Sequence, residues 1–95
     1  KIVMIKNLLS EEFDGSLEKL PKHIRRKAVK RVKIFQENPF HPGLRAEKIN
    51  PPQLNIWSFR IDRNYRILFR FVGSDTALFI LADHHKNIYR YHELK

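Results

Sequence analysis

The stretch WSFRIDRNYRILFRF, Trp57 to Phe71, alternates apolar with polar or charged residues on both sides of a single interruption. Successive side chains of an extended strand point to opposite faces, so Trp57, Phe59 and Ile61 face one way and Ser58, Arg60 and Asp62 the other. Asp62-Arg63-Asn64 has the composition of a turn. Beyond it Tyr65, Ile67, Phe69 and Phe71 resume the apolar row, opposite Arg66, Leu68 and Arg70. The pattern predicts paired strands with one face turned to a core and the other carrying positive charge.

Working outward, three strands are expected over roughly Asn55–Ile61, Tyr65–Val72 and Thr76–Asp83, with Val72 to Thr76 as a hairpin signal between the last two. At the start of the chain, Lys1 to Ile5 is a β-prone run that predicts a first strand. Ser10 followed by Glu11 and Glu12 reads as a helix cap with acids in the first turn, and Phe13, Leu17 and Leu20 give the apolar stripe. Gly15 keeps this helix short or frayed. A second helix starts with Pro21 at its first position, buries Ile24, Ala28, Val32 and Phe35, and ends at Asn38 because Pro39 disfavours helical geometry there. The prolines between Asn38 and Gln53 mark a surface connection holding one short extended piece, Leu44 to Ile49. Asn87 to Tyr91 adds a short strand or tail. The order β-α-α-β-β-β implies an α+β fold, two N-terminal helices packed on a mostly antiparallel sheet, as a single domain over residues 1–95. The helices must cover the aromatic face, which leaves the arginine face open.

A hydrophobic fraction of 42% in 95 residues argues for one folded core rather than disorder. Without cysteine there is neither a disulfide framework nor a thiolate metal site. The longest wholly apolar run, Ala77 to Ala82, is far short of the roughly 20 residues that a membrane span needs. The chain is expected to be cytoplasmic, with no membrane partner and no cofactor. Nineteen Lys and Arg against ten Asp and Glu give a net charge of +9, which points to a polyanionic partner.

Four constellations carry candidate chemistry. Arg60 and Arg66 flank one turn, and a guanidinium offers a planar fork of donors matched to phosphate oxygens. Arg70, near its strand end, reads more simply as an exposed strand residue. His84 and His85 fall at a strand end and suit proton transfer near neutrality; a metal site is the weaker reading because strand neighbours point apart, and a structural pair is the alternative. Glu47 lies between Arg45 and Lys48, an ion-pair setting that becomes a proton acceptor if the loop folds over the arginine face. Lys22, Arg25, Arg26, Lys27, Lys30, Arg31 and Lys33 cover the second helix and offer salt-dependent phosphate contacts. No Walker loop, dinucleotide fingerprint, zinc spacing or serine-nucleophile motif is present.

The segments LPKHIRRKAVKRVKIFQENP, HPGLRAEKI, WSFRIDRNYRILFRF and ADHHKNIYRY together resemble the RelE/ParE superfamily of toxin–antitoxin toxins, which includes ribosome-dependent mRNA endonucleases and gyrase poisons. The part from Glu47 to His84 is similar to the YoeB-like branch, with a glutamate ten residues before a Trp-Ser pair, arginines flanking a turn and a terminal histidine. That resemblance implies Glu47 as general base, Arg66 as phosphate stabiliser and His84 as general acid; YoeB-like chains stop soon after their histidine whereas this one continues through Tyr89 to Lys95, which leaves the choice between His84 and His85 open. Arg45, Lys48, Arg60 and Arg70 are then substrate-binding cations, and Tyr89 stacks on a base or orients the phosphate. Ile56 and Ser58 stand where RelE-like members carry lysines. The implied partners are a cognate antitoxin and mRNA in the ribosomal A site; under the alternatives they are DNA gyrase, or the antitoxin or nucleic acid alone for a catalytically inactive member. Cleavage by the RNA's own 2′-hydroxyl needs a base, cations around the developing phosphorane and an acid for the leaving 5′ oxygen, with no metal required.

Overall fold

Ser10 decides where the first strand ends and the first helix begins. Its N–H donates to Phe79 O (3.2 Å) and its hydroxyl to Ile80 O (3.1 Å), while its Oγ accepts the Phe13 N–H (2.9 Å) as an N-cap. A computed structural model describes residues 4–88. The elements are β1 (Lys6–Leu9), α1 (Glu11–Glu18), α2 (Lys22–Glu37), β2 (Glu47–Lys48), β3 (Trp57–Arg60), β4 (Tyr65–Gly73) and β5 (Thr76–His84). Residues 85–88 are helical. The strands form one sheet in the order β1-β5-β4-β3-β2, parallel at β1–β5 and antiparallel elsewhere.

The helices lie on one face. Ile24, Ala28 and Phe35 of α2 are buried with Phe13 of α1 against Phe59, Ile67, Phe69 and Phe79 of the sheet. Phe35 stacks on Phe59 at 4.9 Å and meets Phe69 and Phe79 edge-on at 4.8 and 5.3 Å. Ser16 ties α1 to the sheet a second time: its Oγ accepts the Ala82 N–H at 2.9 Å and its hydroxyl donates to Phe13 O. Trp57 and Phe71, half-buried at the edge of this layer, are capped by Phe40 from the loop after α2.

Several expectations are corrected. The first strand is Lys6–Leu9 rather than Lys1–Ile5, because pairing starts where the Lys6 N–H meets Asp75 O and must stop at the Ser10 cap; residues 1–3 lie outside the described residues. Pro21 stands one position before α2 as its N-cap. The face opposite the helices is not wholly open: Leu68 is fully buried there with Ile56 and Ile88, beneath the segment carrying Ile49 and Leu54. Of the expected final strand, Asn87 and Ile88 are helical instead, and Tyr89 to Tyr91 lie outside the described residues. Ile88 turns inward onto Leu68, which a helical turn allows.

Phe35→Ala removes the ring around which three strands pack. It should destabilise the domain by about 3–5 kcal/mol, read as a drop in the urea midpoint with far-ultraviolet circular dichroism.

Candidate functional site

Pairing places the charged residues. Arg60 lies directly opposite Arg66, Ser58 opposite both Leu68 and Glu47, and Arg66 opposite Asp83, so Glu47, Ser58, Arg60 and Arg66 share the face away from the helices. Trp57 and Phe59, one residue out of phase, face the helix layer.

On that face is a cleft of about 310 Å³ lined by Glu47, Ser58, Arg66, His85 and Ile88, with Lys48, Ile49 and Asn50 completing its wall. Glu47 is exposed on β2, a strand at the sheet's edge. Ser58 is buried beneath it. Arg66 is half-buried, and its Nη1 donates to the carbonyls of Asp62 (3.0 Å), Arg63 (2.9 Å) and Tyr65 (3.2 Å). The first two carbonyls belong to the β3–β4 turn and the third to the first residue of β4; Asp62 holds the turn in shape by accepting the Asn64 and Tyr65 N–H groups on Oδ1, both at 2.8 Å. The same turn anchors the other side of the cleft, because the His85 N–H donates to Asn64 O at 2.7 Å. One turn therefore sets the position of both the guanidinium and the imidazole.

Partial burial, followed by the positive charge of His84, Arg66 and Lys86, holds the His85 imidazole below the ordinary histidine value. At neutral pH it is an uncharged acceptor. An anion bound against Arg66 would offset those charges and make protonation of His85 easier.

The two histidines part company. His84 ends β5 opposite Tyr65, with the two rings edge-on at 5.3 Å, and lines a separate cleft of about 580 Å³ with Ser16, Lys19 and Tyr65. His85 follows in the helical turn and enters the cleft with Arg66 and Glu47. Their rings are in contact, stacked at 4.6 Å.

The other sequence candidates are dispersed. The Lys48 ammonium sits 5.8 Å from the Trp57 ring centre, on the side away from Glu47, as neighbours on a strand must. Arg45 is exposed in a left-handed backbone conformation (φ 49°) before β2 and does not line the cleft. Arg70 donates from Nη2 to Leu54 O at 2.9 Å, and so holds the loop before β3 against the sheet. Tyr89 lies outside the described residues. Two further groups shape the cleft. Ser58 was legible from its phase with Arg60, whereas the Asn64 carbonyl acts through the backbone and leaves no side-chain signal.

A family model described as the ParE-like toxin domain matches residues 22–87. Among solved structures, the chain is similar to the YoeB/ParE toxin from Agrobacterium tumefaciens, with 19% identity over 85% of this chain and 99% of that one and a TM-score of 0.71. It is similar to a chain of the RelBE2 toxin–antitoxin complex from Mycobacterium tuberculosis, with 21% identity over 88% and 94% of the two chains and a TM-score of 0.73. A chain of the RelB–RelE antitoxin–toxin complex from Methanococcus jannaschii is 30% identical over 88% and 96%, with a TM-score of 0.66. No curated protein matches the chain in sequence at a significant level.

The charges around His85 give a direct check. Its imidazole should titrate below an ordinary histidine in an NMR pH series, and Arg66→Gln, by removing one of those charges, should move the midpoint upward. A downward movement would contradict this electrostatic account.

Proposed function

We propose, from the premise that this chain belongs to the ParE-like toxin family and is a RelE/ParE-superfamily toxin of a toxin–antitoxin system, that it is a ribosome-dependent mRNA endonuclease. The observation that carries this reading is the convergence of Glu47, Arg66 and His85 on one cleft from three separate elements. In the proposed reaction the RNA 2′-hydroxyl oxygen attacks the adjacent phosphorus and its proton passes to the Glu47 carboxylate. Arg66, with Arg60 beside it, balances the charge on the phosphorane. The P–O5′ bond breaks and the 5′ oxygen takes a proton from the His85 imidazolium, leaving a 2′,3′-cyclic phosphate and a 5′-hydroxyl. The lowered affinity of His85 for protons in the free protein suits this role: a bound phosphate offsets the neighbouring positive charges, so His85 takes a proton from solvent and gives it to the 5′ oxygen.

The similar structures from M. tuberculosis and M. jannaschii are toxin–antitoxin complexes, and by that likeness this chain has a cognate antitoxin. A net charge of +9, with seven cations on α2 alone, favours an antitoxin segment rich in Asp and Glu. Its affinity for the toxin should weaken as salt is raised in a calorimetric titration. Binding that ignores salt would point to an apolar interface instead.

Primer extension on mRNA from cells expressing the toxin should map discrete ends. Arg66→Ala should lower the rate by roughly 10²–10³, as loss of one transition-state donor does, and His85→Ala by about 10²–10⁴. For the purified protein on ribosomes, the falling limb of kcat/KM should lie below an ordinary histidine value, and that of kcat at higher pH. Growth arrest that survives Arg66→Ala and His85→Ala, with no mapped mRNA ends and with DNA gyrase inhibited in a supercoiling assay, would assign the chain to the gyrase-directed branch.

A further inference from the structure

Adjacent residues on a strand point apart, yet the rings of His84 and His85 lie face to face, 4.6 Å between centres and 29° between planes. The backbone accounts for this: β5 ends at His84 and helical geometry starts at residue 85, which swings the second ring back over the first. Such a switch leaves the first amides of the helical turn without intrahelical acceptors. His84 supplies one, its Nδ1 accepting the Lys86 N–H at 3.2 Å. Asp83 Oδ1 completes the junction by accepting the His84 N–H at 2.7 Å and the Asn87 Nδ2–H at 3.0 Å. With Nδ1 engaged as an acceptor, a neutral His84 carries its proton on Nε2. Its ring also makes an edge contact with Tyr65, 5.3 Å between centres.

From these contacts we infer that His84 is a positioning residue, which through its stacked ring and its Nδ1 bond to the Lys86 amide holds the His85 imidazole in one orientation within the cleft. The inference rests on the reading of His85 as the proton-transfer group. It explains why two histidines occur in tandem when only one enters the cleft. The groups facing His85 are Arg66 from β4, Glu47 from β2, and His84 and Lys86 from its own segment. Charge on the stacked His84 ring is one of the causes that hold the His85 imidazole below its ordinary value.

Three variants separate the two contacts: His84→Phe keeps a stacking ring, His84→Asn keeps an acceptor for the Lys86 amide, and His84→Ala keeps neither. Each is compared with wild type and His85→Ala in ribosome-programmed mRNA cleavage, and the His85 ring is followed by NMR through a pH series. His84→Ala should lower kcat roughly 10- to 100-fold, as a misplaced catalytic group does, with KM little changed. The Phe and Asn variants should each recover part of the loss, and they carry the test if the Ala variant does not fold. In the Ala variant the His85 signal should broaden or shift, with its titration moving upward. A His84→Ala protein as inactive as His85→Ala, but with an unchanged His85 signal and titration, would make His84 the proton donor and overturn the inference. Full activity with an unchanged His85 signal would overturn it as well. If the wild-type protein cleaves no RNA, the nuclease reading fails by itself, and the NMR comparison still decides whether His84 positions His85.

Discussion

The burial of Phe35 against Phe59, Phe69 and Phe79 is the contact on which the site's geometry depends. It fixes which face of the sheet turns to the helices. Because side chains alternate along each strand, fixing Phe59 and Phe69 inward forces Ser58, Arg60 and Arg66 outward. A one-residue slip of β4 against β3 would put guanidiniums into the aromatic layer, and the desolvation of unpaired charge makes that register costly. The core thus specifies the position of the cations without touching them.

The outer face stores unfavourable electrostatics. Arg60 and Arg66 stand directly opposite each other across β3 and β4, a like-charge arrangement that destabilises a sheet. Arg66 is held there by three backbone carbonyls, two of the turn and one of the first residue of β4, and His85 is drawn to the same turn through Asn64 O. These neutral acceptors orient the guanidinium, and Asp83 stands opposite Arg66 on β5. On the proposed reading, an anion arriving in the cleft would meet a guanidinium that the turn has already oriented. The small apolar cluster of Ile56, Leu68 and Ile88 sits beside the cleft and keeps water from part of its wall.

α1 contributes to the site indirectly. Ser10 and Ser16 bind the backbone of β5 at Ile80 and Ala82, in the stretch where its register against β4 shifts. The Ala82 N–H finds its partner in a helix side chain rather than only in the neighbouring strand. Fixing β5 there sets the course of the four residues that lead to the two histidines.

The sequence by itself determined the hairpin, both helices, the α+β class and the segregation of aromatic from cationic faces, because each follows from local periodicity and capping chemistry. Ser10, Pro39 and the Asp62–Asn64 turn mark boundaries through interactions spanning a few residues, and the alternation in Trp57–Phe71 reports its own burial. Only the tertiary structure decided the first strand: Met4 and Ile5 stay outside it, and pairing with β5 begins at Lys6, whose N–H meets the Asp75 carbonyl. It alone separated His84 from His85: a single change from strand to helical geometry puts the second ring with Arg66 and Glu47 and leaves the first beside Tyr65. It also distributed the cations, sending Lys48 over Trp57 and Arg70 to the Leu54 carbonyl. These outcomes depend on contacts between residues distant in sequence, and neither composition nor spacing encodes which neighbour a side chain will find.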